Sequence, residues 1–372
     1  MTLMETLRED NLDLYNDLLR IKKKSDEITK NKLHHSYTDH GIEHCNRIII
    51  HLDNLLKNFM KTDKKLNSLE IFILLSAVFL HDIGMQLHEK SILKKFLPTA
   101  IITDSNLEDI VRKYHGTLSR QWIENNITSN TSLYLAYDCD PELGEIIARI
   151  VESHTIDLSK QLSDYEDSYP IKTANIRISL IAILLSLGDS LDLNSERVNI
   201  DLLKSSNINE DSKLHWFKHY YISGVSCNNG IIKINLTLPT SLSSFESQTY
   251  FNFFQNDILD WINFNLNSFK TILHLNDIHI IIEDLKFKNS IAKKKLDTNL
   301  YKKIERLDID LIKTIFHQNN IDLNIVPSKD INEIILEVKV NKSLKVFKLN
   351  LLDEKTLNKQ IEDILKYNGG LK

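Results

Sequence analysis

The sequence predicts a mainly α protein, with a helical domain over residues 1–200 and a smaller α+β region after it. Three observations predict this. Glycine (9) and proline (5) are scarce in 372 residues, which favours long helices with short connections over a turn-rich sandwich. Two apolar runs, Ile71–Leu80 and Ile178–Leu187, fall well short of the ~20 residues of a membrane span and read as buried core helices. Near Asn199 the texture changes, and alternating apolar residues around an Asn-Gly pair replace the helical period.

The elements follow in order. Leu3, Leu7, Leu12 and Leu19 line an opening helix. Within Ile42–Met60, the apolar residues Ile48, Leu52, Leu55, Leu56 and Phe59 recur at helical spacing. Ser68–Leu80 reads as a buried helix with Ser68 as N-cap and Glu70 in its first turn. Further helices are predicted over Asp104–Asn125, Glu142–His154 and Thr173–Leu187. A β-hairpin runs through Tyr220–Cys227, the turn Asn228-Asn229-Gly230 and Ile231–Leu238, because Asn-Gly supplies the positive φ angles of a tight turn. An amphipathic helix over Ser244–Leu273 and a strand over Ile278–Leu285 come next. The tail from Thr298 gives a helix, strands at Ile331–Val340 and Leu344–Leu351, and a last helix at Glu354–Tyr367. The domains are therefore residues 1–200, an α+β extension over 201–297 and a small α+β region over 298–372.

Composition sets limits on function. A formal charge of −5 supplies no global basic field and counts against long nucleic acid. Cys45, Cys139 and Cys227 share no C-x-x-C spacing, which points to reduced thiols in a cytosol. Met1–Asp17 is mixed in charge with no apolar run, so no signal peptide is expected, and the shortness of the longest apolar runs argues against a membrane partner.

The chemistry sits where apolar helices end. His81-Asp82 follows the run Ile71–Leu80, with Gly84 as a terminator just beyond. Neighbours on a helix point about 100° apart, so both can address one site only near a helix end or in a cleft. Taken alone, the pair reads more readily as an exposed polar helix end, since short motif matches are weak evidence. In His40-Gly41-Ile42-Glu43-His44 the two imidazoles, four apart, can share one helix face. Leu187-Gly188-Asp189 delivers a carboxylate at the end of a second apolar helix. A buried carboxylate needs a metal or a cationic partner, for which Arg47, Arg177 and Arg197 are available.

The order His, His-Asp, Asp, each on its own apolar helix, resembles the HD superfamily of metal-dependent phosphohydrolases. The resemblance covers residues 33–200 and is carried by Tyr37-Thr38-Asp39-His40-Gly41-Ile42-Glu43-His44, Phe79-Leu80-His81-Asp82-Ile83-Gly84-Met85 and Leu185-Ser186-Leu187-Gly188-Asp189-Ser190-Leu191-Asp192-Leu193. It implies that His44, His81, Asp82 and Asp189 hold a divalent metal, with Asp192 in a supporting role. It also implies catalytic roles for His40, His115 and His154 and a phosphate contact from His88, while the basic pair Arg112-Lys113 beside His115 suits phosphate by its own chemistry. His40 stands where cyclic nucleotide phosphodiesterases of the superfamily carry a general acid. Its deoxynucleoside triphosphate hydrolases also use downstream histidines, for which His88, His115 and His154 are the candidates here. The stretch through Glu196-Arg197-Val198 looks like HD domains of bacterial conflict and anti-phage systems, which implies a cytoplasmic defence role, alone, as a homo-oligomer or with a partner protein.

A first shell of two His and two Asp lacks thiolate and suits Mn, Fe, Co, Ni or Mg. A second metal fits if His115 and His154 turn inward, with Asp82 as the bridge. The expected reaction is hydrolysis of a nucleotide, with deoxynucleoside triphosphates ranked first and cyclic or oligomeric nucleotides second. Two other readings stay open. One is a degenerate HD domain that senses nucleotides. The other is an inverted-motif zinc peptidase, in which His40, Glu43 and His44 supply the chemistry.

Overall fold

A computed structural model of the chain describes residues 1–30, 37–127, 141–166, 168–171, 174–198, 216–236, 259–283, 322–327, 333–340 and 343–350. They fall into two compact units. The first, Met1–Thr237 with Phe254–Lys286, holds the helical core.

The opening segment is two helices, α1 (Leu3–Asp10) and α2 (Leu12–Thr29). Asn11 ends the first and caps the second by accepting from the Leu14 N–H. That break resets the helical phase. Leu3 and Leu7 are buried as expected, but Leu12 and Leu19 are 58% and 39% exposed, and Leu18 and Ile21 take the core positions instead. Helix α3 (Ile42–Leu56) turns His44, Ile48, Leu52 and Leu55 inward. Helix α4 (Ser68–Leu80) is buried on every side from Glu70 to Leu80 and packs against α1, α2 and α3. Its N-cap is Asn67, not Ser68. The Asn67 side chain accepts from the Leu69 and Glu70 N–H groups, and Glu70 answers with a bond from the Asn67 N–H. The apolar stretch Ser68–Gln86 matches a membrane span in length and composition, yet 89% of it is buried inside the protein, as a core helix is.

Four helices follow: α5 (Lys90–Phe96), α6 (Leu107–Ile127), α7 (Pro141–Ser153) and α8 (Leu158–Asp164). The antiparallel pair β1 (Tyr169–Ile171) and β2 (Ala174–Ile176) then occupies the place where a helix was expected to begin at Thr173. Helix α9 (Ile178–Leu191) starts late because Arg177 is tied to Glu70 through its backbone N–H, Nε and Nη2. It is nearly all buried and packs with α3, α4 and α7.

A helical turn over residues 216–220 leads into β3 (Ile222–Asn228) and β4 (Ile231–Leu236). Asn229 and Gly230 have φ of 50° and 82°, as the Asn-Gly turn requires. Ile232 and Ile234 face inward. Helix α10 (Leu259–Leu275) and the short β5 (Ile281–Ile282), parallel to β4, complete the unit. The strand expected over Ile278–Leu285 is thus reduced to two residues among those described.

In the second unit, the described residues form the antiparallel meander β6 (Asp322–Pro327), β7 (Glu333–Val340) and β8 (Ser343–Asn350). Strand β6 was not anticipated. The expected helices after Thr298 and over Glu354–Tyr367, and residues 244–258 of the amphipathic helix, lie outside the described residues.

Candidate metal centre

Five elements bring imidazoles and carboxylates to one place. The first turn of α3 carries His44. The end of α4 carries His81, with Asp82 next. Helix α6 carries His115, the residue after α7 is His154, and the last turn of α9 carries Asp189. Close helix approach depends on two glycines. A Cβ on Gly188 would stand 2.9 Å from Ile48 Cγ2 and 3.2 Å from Leu52 Cγ, so its absence lets α9 rest on α3 and sets Asp189 beside His44. A Cβ on Gly84 would stand 2.4 Å from the His115 carbonyl oxygen and 2.7 Å from the Ser119 nitrogen. There the Gly84 N–H donates to Ser119 Oγ at 2.8 Å and Ser119 Oγ donates to the His81 carbonyl at 2.6 Å. Gly84→Ala must push backbone apart, so a loss of about 1–3 kcal/mol is expected, as for an overpacked core. Thermal unfolding checks it, and an unchanged Tm would contradict the tight contact.

The donors form two sets. In the first, His44 Nε2 lies 3.1 Å from His81 Nε2, 3.3 Å from Asp189 Oδ1 and 3.5 Å from Asp82 Oδ2. His81 Nε2 lies 3.1 Å from Asp82 Oδ2 and 3.7 Å from Asp189 Oδ1. In the second, His115 Nε2 and His154 Nε2 are 2.8 Å apart and lie 3.5 and 3.7 Å from the other Asp82 oxygen, Oδ1. Asp82 is therefore shared, with one oxygen toward each set.

These sets fit a divalent metal. Bonds of about 2.1 Å require donor separations of about 3.0 Å in an octahedron and 3.4 Å in a tetrahedron, close to the spacings found. The ring protons agree. Nδ1 of His81, His115 and His154 each meets the carbonyl oxygen three residues back, on Val78, Arg112 and Val151. A carbonyl only accepts, so each Nδ1 carries a proton and a neutral ring turns its Nε2 lone pair inward. His44 Nδ1 is held the same way by the Asp192 carboxylate. Two lone pairs 2.8 Å apart repel unless a cation, proton or metal, lies between them.

Electrostatics gives the same picture for the first set without a metal. Burial and Arg197 oppose protonation of His44, but bonds to Asp189, Asp192 and Asp82 outweigh them and raise it to about 9. His81 is raised well above its ordinary value against burial, through the Asp82 charge and bonds to Asp189 and Asp82. Asp82 and Asp189 stay ionised well below the usual carboxylate range, again against burial. A metal therefore displaces protons when it binds. Apparent affinity is expected to climb as pH rises towards about 9, the His44 value, because below it the proton competes for His44. Calorimetry in buffers of different ionisation enthalpy measures the protons released, and none released at pH 7 would contradict this account.

The cationic partners proposed for Asp189 are engaged elsewhere. Arg47 Nε lies 2.6 Å from Asp192 Oδ1, Arg197 Nη1 lies 3.2 Å from Asp192 Oδ2, and Arg177 Nη2 lies 2.7 Å from Glu70. His81 and Asp82 are buried, so the exposed-helix-end reading of that pair does not hold. Gln161 joins the two sides of the site, donating to the Ser153 carbonyl and Ser186 Oγ at 2.8 and 3.1 Å.

The remaining predicted residues divide. His40 lines a cavity of about 400 Å³ that also exposes Asp82, His115, His154 and Asp189. It does not share a helix face with His44, because α3 starts at Ile42 with Gly41 as its cap. The two rings instead meet edge to face at 5.8 Å. Glu43 is exposed and absent from the cavity wall, which removes the base that an inverted zinc-peptidase motif needs. Arg112 lines the cavity with its guanidinium 4.7 Å from the centre of the Tyr37 ring. Lys113 is exposed, its ammonium 5.2 Å from the centre of the Tyr114 ring. His88 is exposed too, with its ring near the Gln86 carbonyl. Neither is brought to the cavity, because α6 turns Lys113 outward and the chain leaves the site through the 3-10 turn Ile83–Gln86. Sequence reasoning assigned no site role to Trp216, Lys218, His219 or Phe269, all on the cavity wall. The aromatic and basic run Trp216-Phe217-Lys218-His219 was the available signal.

A helical domain whose helix ends converge His and Asp on two adjoining donor sets is a metal-binding fold of the HD type. Residues 34–268 match the family model HD-CE, and the chain belongs to that family. No curated protein and no solved structure matches the chain.

Proposed function

We propose that the chain is a metal-dependent phosphohydrolase of nucleotides, with deoxynucleoside triphosphates as its first-ranked substrates. The observation that carries this is Asp82, shared between two imidazole-rich donor sets on the wall of a cavity of about 400 Å³. That volume suits a small ligand of nucleotide size better than a polymer. Divalent metal at these donors supplies Lewis acidity toward a phosphoryl oxygen and lowers the pKa of water.

The chain's own groups do the rest. Arg112, held against Tyr37, presents guanidinium donors that match phosphate geometry. The His40 Nδ1 donates to the Thr38 carbonyl at 2.7 Å, which leaves Nε2 for a substrate. Burial, partly offset by the Asp82 charge, keeps His40 down at about 3, so its ring is neutral until substrate arrives. A bound phosphate brings the negative charge that lets His40 take a proton and pass it to the leaving oxygen.

The pairing of His115 with His154 favours a second reading, hydrolysis of cyclic or oligomeric nucleotides. If both rings held metal, neither would be free as a leaving-group acid, and metal at both donor sets would supply the Lewis acidity that diester hydrolysis needs. Incubation with manganese and a panel of deoxynucleoside triphosphates, cyclic nucleotides and dinucleotides, with products separated by chromatography, tests both. The expected result is turnover abolished by chelator. Release of tripolyphosphate or phosphate supports the first reading, and ring-opened or split diesters the second. Binding without turnover would leave a nucleotide sensor.

A further inference from the structure

The cavity is completed by residues that lie outside the helices of the donor sets. The helical turn over residues 216–220 puts Trp216 and His219 on its wall, and α10 puts Phe269 there. Both segments belong to the same compact unit as the donors, and α10 packs against α9, the helix that carries Asp189. With Leu193, these side chains give that part of the wall an apolar and aromatic surface. Lys218, on the same turn, is already engaged within the protein. A phosphate is anionic and seeks charge and N–H groups, so it has no use for such a surface. A sugar and a base have apolar faces and uncharged polar edges, and pockets take such groups on aromatic walls with a few directed hydrogen bonds.

The His219 ring is a polar group set into this wall. It is 7% exposed, and its Nδ1 is buried with no hydrogen-bond partner among the described residues. This separates it from other imidazoles of the site. His81, His115 and His154 each give the Nδ1 proton to a carbonyl and turn an Nε2 lone pair to the donor sets. In His219 no acceptor draws the proton to Nδ1, and a buried N–H without a partner is rare, so the neutral ring carries its proton on Nε2. Burial, with the charges of Arg197 and Lys218, holds the ring neutral, well below its ordinary value. His219 is therefore an uncharged hydrogen-bond donor, which suits an uncharged acceptor better than a phosphate.

We propose that His219, through Nε2, hydrogen-bonds the nucleoside half of the ligand, and that the wall it shares with Trp216 and Phe269 selects which nucleoside the site accepts. This deepens the phosphohydrolase reading and rests on it. The donor helices hold the metal, and the segments that follow residue 200 supply selectivity.

The test uses full-length protein loaded with manganese, with free manganese fixed so that chelation by the probes is constant. Affinities for pyrophosphate and for the four deoxynucleoside diphosphates are measured by calorimetry on the wild type, His219→Phe and His219→Gln, with metal content read on each sample. The probes share two phosphates and differ in the nucleoside. Phenylalanine keeps a ring in the wall and removes its N–H, whereas glutamine keeps a donor. In the wild type, the best-bound nucleotide should exceed pyrophosphate by about tenfold or more. His219→Phe should weaken that nucleotide by about fivefold or more and pyrophosphate by less than about twofold, and His219→Gln should recover most of the loss. Metal content should hold throughout. An unchanged nucleotide affinity in His219→Phe, an equal loss for pyrophosphate, an equal loss in both variants, or a wild type that prefers pyrophosphate would overturn the nucleoside site while leaving the phosphohydrolase reading intact. Failure of the wild type to bind any of the probes would overturn both.

Discussion

Asp82→Ala is expected to empty both donor sets at once and to reduce turnover by about 10³-fold or more, the scale of losing a group that stabilises charge in the transition state. The two oxygens of Asp82 face different donor sets, and His81 is the other residue that reaches toward both. Asp82 Oδ2 stands 3.1 Å from His81 and its Oδ1 stands 3.5 Å from His115. Removing Asp82 takes an anionic donor from each, leaving Asp189 with His44 and His81 on one side and His115 with His154 alone on the other. The change is small in volume and lies at a helix end, so the fold should survive, and circular dichroism with metal analysis separates the two effects. Asp189→Ala should act on one set only, because its contacts are with His44 and His81. If Asp82→Ala kept the metal of either set, the bridge would be wrong.

The largest loss of stability is expected from Asp192→Ala. From the sequence, Asp192 is a supporting residue whose loss is milder than that of a ligand, and for turnover this should hold. For stability the order reverses. Asp192 is 1% exposed and receives the His44 ring, Arg47 and Arg197. Alanine leaves two arginines without their shared carboxylate, a loss of about 3–5 kcal/mol for a buried ion pair broken on one side. It also frees the His44 ring to rotate or change tautomer, which should weaken metal affinity about 10–100-fold. Burial opposes ionisation of Asp192, but His44 and Arg47 hold its carboxyl well below the usual range. The stability it contributes is therefore present above the unfolded value of about 3.9 and is lost as pH falls through the lower folded value. Acid unfolding of Asp192→Ala should lack that contribution. An unchanged Tm in the variant would remove Asp192 from this role.

Much of this was legible because helix and hairpin patterns are local. The apolar runs that became α4 and α9, and the Asn-Gly turn between β3 and β4, follow from neighbours in sequence. The donor residues were legible for a related reason, since ligand-type side chains at the ends of apolar helices stand out against their surroundings. What was missed depends on distant contacts. The late start of α9 comes from Arg177 reaching Glu70, more than a hundred residues away. The outward turn of Leu12 comes from a single capping asparagine. His88 and Lys113 were plausible phosphate contacts by composition alone, and only the direction of their elements sets them outside the cavity. Lys218 was given no role because the run Trp216-Phe217-Lys218-His219, though visible, does not tell that its turn lines the same cavity as Asp189.

The shared role of Asp82 is tested most directly by counting metal. Wild type loaded with manganese, freed of excess and analysed by mass spectrometry should hold about two ions per chain, and His115→Ala combined with His154→Ala about one. Asp189→Ala should also fall to about one, and Asp82→Ala close to none. Full occupancy in Asp82→Ala, or a wild type whose metal content is untouched by loss of both His115 and His154, would contradict the account.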